Sequence, residues 1–258
     1  MSTIIYPSPI FGPVHSRRLG ISLGINLLPA DGKWCSFDCI YCECGFNADH
    51  RPHLPLPGLQ EVSRALEEKL CEMREQGQLP DVLTFAGNGE PTMNPHFPEI
   101  VDEVIRLRNC YCPMAKVSVL SNATQILRPQ VREALMKVDN NILKLDTVDA
   151  AYIRRTDRPT GRYDVERIVE AMCGFGGQCI VQTMFMQGAY EGADVDNTLP
   201  AYVEPYLDAL KRIRPRMVMI YTLDRETPAK GLQKAPREKL DAIASLIREL
   251  GLEVSVSY

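Results

Sequence analysis

Four of the nine cysteines in this chain fall within residues 35–44, at Cys35, Cys39, Cys42 and Cys44. The first three stand as C-x3-C-x2-C. Thiolates are the ligands of iron–sulfur clusters. Three of them on one short loop can hold three corners of a four-iron cube and leave one iron open to chelate a substrate or cofactor. Spacings of two to four residues also suit structural zinc, and Cys42, Cys44, His50 and His53 would supply a ligand set. Unligated thiols are the third reading. The loop alone leaves cluster, zinc and free thiols open.

A second group of residues stands some 45 positions later, where an apolar run ends in Gly87, Asn88, Gly89, Glu90 and Pro91. Glycines at a strand's end let the backbone approach a ligand closely and leave amides and carbonyls free to pair with it. Glu90 adds a carboxylate. Weaker signals follow. Ser121 and Asn122 end another strand-like run, Lys144 and Asp146 share one face of the next, and Gln182 and Met184 share a face of a fourth. Arg154, Arg155, Arg158 and Arg162 could pair with phosphate or carboxylate, or form a plain solvated loop. His15, Arg17 and Arg18 divide between a substrate-side role and a solvated turn. Cys44 reads as a bystander and Cys71 as packing. An auxiliary cluster from Cys110, Cys112, Cys173 and Cys179 is a minor alternative.

These groups need elements to carry them. Strand-like runs at residues 21–28, 81–86, 116–120, 141–146, 179–186, 216–223 and 252–257 alternate with helix-like runs at 59–76, 97–108, 128–138, 165–173, 197–213 and 237–250. Val62, Leu66, Leu70 and Met73 mark one face of the first helix. Such alternation predicts an α/β fold with a parallel sheet of right-handed βαβ units. About six repeats are visible, against about eight for closure, so the expectation is a partial (β/α)6 TIM-like barrel. Functional groups then belong at the C-terminal ends of the strands. Polar residues alternating along covered strands suit a lumen that holds a ligand.

Composition narrows the classes. The net charge of −4 provides no global pull toward nucleic acid or membrane, and nucleic acid stays a candidate substrate only through a local patch. No stretch approaches the roughly 18 apolar residues of a membrane span, and the N-terminal residues do not resemble a signal peptide. The expectation is a cytoplasmic protein with one domain over residues 1–258 and a cysteine-bearing loop at 31–57.

C-x3-C-x2-C with Tyr41 before the third cysteine, then a strand ending in Asn88-Gly89-Glu90-Pro91, resembles the radical S-adenosylmethionine (SAM) superfamily. Asn88 stands where a GGEP-like motif has its first glycine, with Gly87 before it. Residues 12–28, 85–97, 144–159 and 221–232 resemble more narrowly the group containing the wybutosine-synthesizing tRNA enzymes. Those carry further N-terminal cysteines for a second cluster, and none precedes Cys35 here.

The resemblance implies one 4Fe–4S cluster on Cys35, Cys39 and Cys42, with SAM bound through its amino and carboxylate groups to the open iron. Reductive cleavage would release a 5′-deoxyadenosyl radical that takes a hydrogen from substrate. It implies that Tyr41 lies near the adenine. Residues 87–91 would meet the methionine ammonium, and Ser121 and Asn122 the ribose or carboxylate. Lys144 or Asp146, Gln182 and Met184 would approach the adenosyl group. It also implies an external low-potential electron donor of flavodoxin or ferredoxin type. The substrate would be tRNA, protein or a small molecule, with anionic groups if the arginines meet it. A glycyl-radical-enzyme activating enzyme is the alternative within the class, and a zinc-stabilised binding protein the alternative outside it.

Overall fold

Each apolar run too short for a helix becomes a strand, and each longer amphipathic run becomes the helix that returns the chain to start the next. The computed structural model describes residues 3–16 and 20–258. Arg17 and Arg18 lie outside the described residues, as does the side chain of His15. In chain order the elements are β1 (Ile10–Ser16), β2 (Gly20–Ile25), α1 (Leu59–Glu75), β3 (Val82–Phe85), α2 (Phe97–Tyr111), β4 (Lys116–Ser121), α3 (Pro129–Lys137), β5 (Asn140–Lys144), α4 (Ala150–Thr156), α5 (Val165–Cys173), β6 (Ile180–Met184), β7 (Met186–Tyr190), β8 (Ala193–Asp194), α6 (Pro200–Ile213), β9 (Met217–Tyr221), β10 (Leu232–Lys234), α7 (Arg237–Glu249) and β11 (Val254–Ser257). A short 3-10 turn, Pro91–Met93, precedes α2.

Eight strands form one sheet in the order β1-β2-β3-β4-β5-β6-β9-β11. β1 pairs antiparallel with β2, and every other neighbouring pair is parallel. Spatial order follows chain order without reversal. Every crossover therefore lands on the adjacent position, and the common hand of βαβ units curls the sheet one way. The two edges, β1 and β11, do not pair with each other among the described residues. The expected partial (β/α)6 barrel is present, with one extra parallel strand at its end.

The two faces of the sheet differ as the alternation requires. Leu23, Ile25, Leu83, Phe85, Val117, Val119, Leu143, Val181, Val218 and Ile220 point outward into one apolar core with the helices. Val62, Leu66, Leu70 and Met73 of α1 are buried in the same core. The inner face is mixed. Ile142, Ile180 and Met219 form a separate small cluster. Ser22 and Thr84 share a hydroxyl hydrogen bond of 2.8 Å, and Asn140 donates to Ser118 at 2.8 Å.

Several elements were not expected. β1 contains Gly12 and Pro13 and is irregular between Phe11 and Val14; proline confines such a strand to an edge. Residues 179–186 are not one strand. The sheet strand ends at Met184, and Met186 starts β7, which joins β10 and β8 in a small antiparallel sheet. α4 is a single short helix, capped by Asp149 accepting from the Tyr152 amide. Arg154 and Arg155 therefore sit in the last turn of a helix, not in a loop. Among the described residues no helix is long and apolar enough to cross a membrane.

Candidate active site

The cysteine loop leaves the C-terminal end of β2 and is fastened on both sides. On one side the Trp34 amide donates to the Asn88 carbonyl at 2.8 Å, and the Glu90 amide donates to the Trp34 carbonyl at 3.1 Å. Residue 34 thus runs briefly as a strand beside residues 88–90. On the other side Asp38 N bonds Asp157 O at 2.9 Å, Ile40 N bonds Thr156 O at 2.9 Å, and Thr160 N bonds Ser36 O at 2.9 Å. The loop is thereby held between the chain following β3 and the chain following β5, at the C-terminal ends of the strands. Cys39 and Cys44 are buried, and Cys35 and Cys42 are half-buried.

The glycine-rich turn is bonded to the cysteine loop through its backbone. Asn88 O and Glu90 N are used by Trp34, and Gly89 N is used by Gly87 O at 2.9 Å. The bonds of Asn88 O and Glu90 N to Trp34 secure the cysteine loop, and the Gly89–Gly87 bond tightens the turn itself. Gly87 (φ +142°) and Gly89 (φ +134°) hold backbone conformations that L side chains rarely adopt. A Cβ on Gly89 would stand 2.0 Å from the Trp34 carbonyl oxygen. Asn88 is not among the positive-φ residues, which is why a side chain is tolerated in the first glycine's place. That side chain accepts from the Tyr6 amide at 2.7 Å and donates to Tyr6 O and Pro29 O at 2.9 Å each. It clamps the N-terminal segment and is turned away from the thiols.

Gly89→Ala is therefore expected to cost about 1–3 kcal/mol from overpacking alone, with left-handed backbone strain added. The variant should also retain less iron after reconstitution. Denaturant midpoints and iron analysis check this; wild-type values for both would show that Trp34 can shift freely.

Glu90 is buried and organises the next strand's end. Its carboxylate accepts from Thr92 N at 3.1 Å, from the Thr92 hydroxyl, from Ser121 Oγ at 2.9 Å and from Asn122 N at 2.6 Å. Burial raises its pKa while these donors oppose the rise. Asn122 in turn donates to Ser36 Oγ at 3.0 Å and reaches Cys35 Sγ at 3.6 Å. Ser121 and Asn122 are thus brought to the thiols through Glu90, and Ser36 joins them.

Electrostatics separate the thiols. Burial pushes Cys35 up to about 12, against the charge of Lys33. Burial also pushes Cys39 well above its ordinary value. Cys42 is lowered to about 6, chiefly by a hydrogen bond from Cys44 and then by Lys33. Lys33, which the cysteine spacing does not single out, is a buried cation whose charge acts on all three. Burial opposes its charge, but Cys42, Cys35, Cys39 and Asp38 outweigh that and hold its pKa above the ordinary lysine value.

Three soft donors beside a buried cation fit an iron–sulfur cluster, whose thiolates hold separate irons. Among the described residues no three His, Cys, Asp or Glu side chains converge on a single ion. The zinc set of Cys42, Cys44, His50 and His53 accordingly has no geometric support. Of the remaining thiols, Cys110 is exposed, Cys173 is half-buried, and Cys112 and Cys179 are buried.

Beyond the thiols lies a buried charged group. Lys144, at the end of β5, pairs with Asp146 and stands 3.0 Å from Asp157. The Tyr41 hydroxyl donates to Asp146 and, at 3.3 Å, to Asp157. Lys144 Nζ lies 4.8 Å from the centre of the Tyr41 ring. Asp146 also accepts from the Met184 amide at 2.9 Å. Burial pushes Asp157 up to about 6 against the pull of Lys144. Gln182 pairs in register with Lys144 on the inner face. Tyr41 and Met184 line a cavity of about 230 Å³ together with Tyr6, Tyr221, Arg225 and Tyr258. Asp157 was also missed; its neighbour Arg158 drew attention as a charge, while the buried acid beside it looked like one more loop residue.

The arginines divide. Arg155 donates to Asp194 O at 2.9 Å. Arg158 pairs with Asp38 at 3.3 Å, donates to Tyr190 at 2.8 Å and covers the Phe46 ring at 4.9 Å. These two tie the cysteine loop and α4 to β7 and β8. Arg154 and Arg162 line a separate cavity of about 700 Å³ between α4 and the start of α5.

With this geometry in place, comparison with known proteins is informative. The family model described as the radical SAM superfamily matches residues 31–198, more than half of the chain. A UPF0026 protein of Helicobacter pylori is 30% identical over 244 residues, covering 91% of this chain and 72% of that protein. Among solved structures, SuiB of Streptococcus suis bound to S-adenosylmethionine has a TM-score of 0.61 at 16% identity over 88% of this chain. This chain spans 49% of the length of that SuiB chain. A radical SAM methyltransferase from Sphaerobacter thermophilus has a TM-score of 0.67 at 15% identity, covering 92% of this chain and 66% of that one. TYW1 with a lysine–pyruvate adduct has a TM-score of 0.59 at 13% identity, covering 88% of this chain and 73% of that one. Structural likeness at such identities shows the fold. The superfamily's cofactors are SAM and a 4Fe–4S cluster, and cysteines to hold the cluster are present. A cysteine loop, a glycine-rich turn and a partial barrel thus meet in a chain that belongs to the radical SAM superfamily and to the UPF0026 proteins.

Proposed function

We propose that Cys35, Cys39 and Cys42 hold one 4Fe–4S cluster and that the chain cleaves SAM reductively to abstract a hydrogen from its substrate. The observation that carries this reading is the fastening of the three thiols between the chain after β3 and the chain after β5, at the strand ends. Held by these three thiols and reduced by an external low-potential donor, such a cluster would supply the electron for reductive cleavage of SAM to methionine and a 5′-deoxyadenosyl radical.

The chain's own groups orient and enclose. Residues 87–91 fix the loop through backbone bonds, and Glu90 presents Ser121 and Asn122 beside Cys35. Tyr41 and Met184 line the 230 Å³ cavity, the proposed seat of the adenosyl part; Lys144 and Asp146 hold them from behind, with Gln182 beside Lys144, and these three are the proposed further contacts. Apolar packing continuous from Leu23 to Ile247 supports reading the chain as one domain. The substrate class is left open between tRNA, protein and a small molecule.

Anaerobically reconstituted, dithionite-reduced protein should release 5′-deoxyadenosine and methionine from SAM, slowly, even without substrate. Methylthioadenosine as the only product, or no cleavage by cluster-loaded protein, would overturn the mechanism.

A further inference from the structure

Lys33 is 3% exposed, a burial that lysine seldom accepts without partners. Its ammonium donates to Gly45 O at 2.7 Å and stands 3.7 Å from an Asp38 carboxylate oxygen. Its charge also favours the thiolate of Cys42. Asp38 has partners besides Lys33: it accepts from Asn47 N at 2.6 Å and pairs with Arg158 at 3.3 Å. Neutralising Asp38 therefore does not explain the buried cation. The backbone of Lys33 is fixed as well, its amide donating to His50 O at 2.7 Å while the next amide bonds Asn88 O. The ammonium is consequently held at the Cys42–Gly45 turn of the cysteine loop by bonds at both ends of the residue.

We propose that Lys33 compensates charge at the cluster and sets its reduction potential. The inference rests on the assignment of Cys35, Cys39 and Cys42 as ligands. Reduction adds one electron, taken from a chemical reductant or an electron-transfer protein, and so adds one negative charge to a buried group. A fixed cation at close range in a low-dielectric site favours the reduced state over the oxidised one. Net charge is a known lever on cluster potentials, and Lys33 supplies a fixed positive one.

The test is a spectroelectrochemical titration of the reconstituted full chain as wild type, Lys33→Gln and Lys33→Arg. Glutamine keeps an N–H donor for Gly45 O and removes the charge; arginine keeps the charge. At a fixed poise the reduced-to-oxidised ratio should fall about tenfold or more in Lys33→Gln, which is about 59 mV for one electron. Lys33→Arg should stay near wild type. A purely structural lysine would change iron content and leave the potential where it was. Lys33→Gln with full iron content and the wild-type potential would overturn the proposal. If that variant takes up no iron, Asp38→Asn decides: removing the anion beside Lys33 should raise the potential, and an unchanged value would overturn it. Failure of the wild-type chain to bind a cluster would strike the ligand assignment first and is read separately, by iron and sulfide analysis.

Discussion

Changing Cys35, Cys39 and Cys42 together to alanine is expected to abolish iron and sulfide binding and, with them, SAM cleavage. Cys44→Ala is expected to keep both. The three proposed ligands stand on the segment fastened to residues 88–90 and 156–160, whereas the Cys44 thiol donates to the Gly87 carbonyl oxygen at 3.5 Å. Its loss removes that bond to the glycine-rich turn and leaves the three thiols. Binding of a metal centre adds to folding stability, so the triple variant should also unfold at lower temperature than cluster-loaded wild type. Anaerobic reconstitution followed by iron, sulfide and absorbance measurements decides the matter. A Cys44 variant as empty as the triple variant would show that the ligand set is wrong.

The parts of the fold visible in the sequence are those set by periodicity. Val62, Leu66, Leu70 and Met73 repeat at helical spacing and are buried on one face of α1. Leu23, Ile25, Leu83 and Phe85 alternate and meet the helices. Elements without enough residues to show a period escaped notice. α4 spans seven residues and β8 two. β1 hides behind Gly12 and Pro13, which read as loop.

The site was legible where covalent chemistry restricts residue choice, as with the cysteines and the two positive-φ glycines. It was not legible where a role depends on tertiary burial. Lys33 looks like any surface lysine until its ammonium is found beside Gly45 and Asp38. Asn26 looks like the end of a strand, yet its amide holds the N-terminal segment through Tyr6 O and Pro7 O. A lysine directly before an aromatic and a ligand cysteine was the available signal for the first. For the second there was none. The backbone bonds from residues 88 and 90 to Trp34 were not legible, because spacing reveals where a backbone comes close to something and not to what.

The second large effect is expected at Lys144. This side chain is one cation shared by two carboxylates, Asp146 and Asp157, each with a side chain 3% exposed. Lys144→Met leaves both acids buried without their cation. Removing one partner of a buried pair costs about 3–5 kcal/mol, because the charge left behind is uncompensated. Asp157→Asn should behave differently. Asp157 is the surplus charge of the group, pushed up to about 6 by burial despite Lys144. A folded-state pKa above the unfolded value means that folding disfavours the ionised form. The contribution of Asp157 to stability is then fully present below the unfolded pKa of about 3.9 and is lost as pH rises through about 6. Asparagine has no charge to lose, still offers an acceptor to Tyr41, and leaves Lys144 with Asp146 as a balanced pair. Asp157→Asn should therefore cost much less than Lys144→Met at pH 7. It should also flatten the part of the stability–pH profile between about 4 and 6 that Asp157 contributes. Denaturant midpoints at several pH values, with unchanged slopes to exclude a change in the unfolded state, measure both. Equal losses for the two variants at pH 7 would show that the charges are compensated in another way.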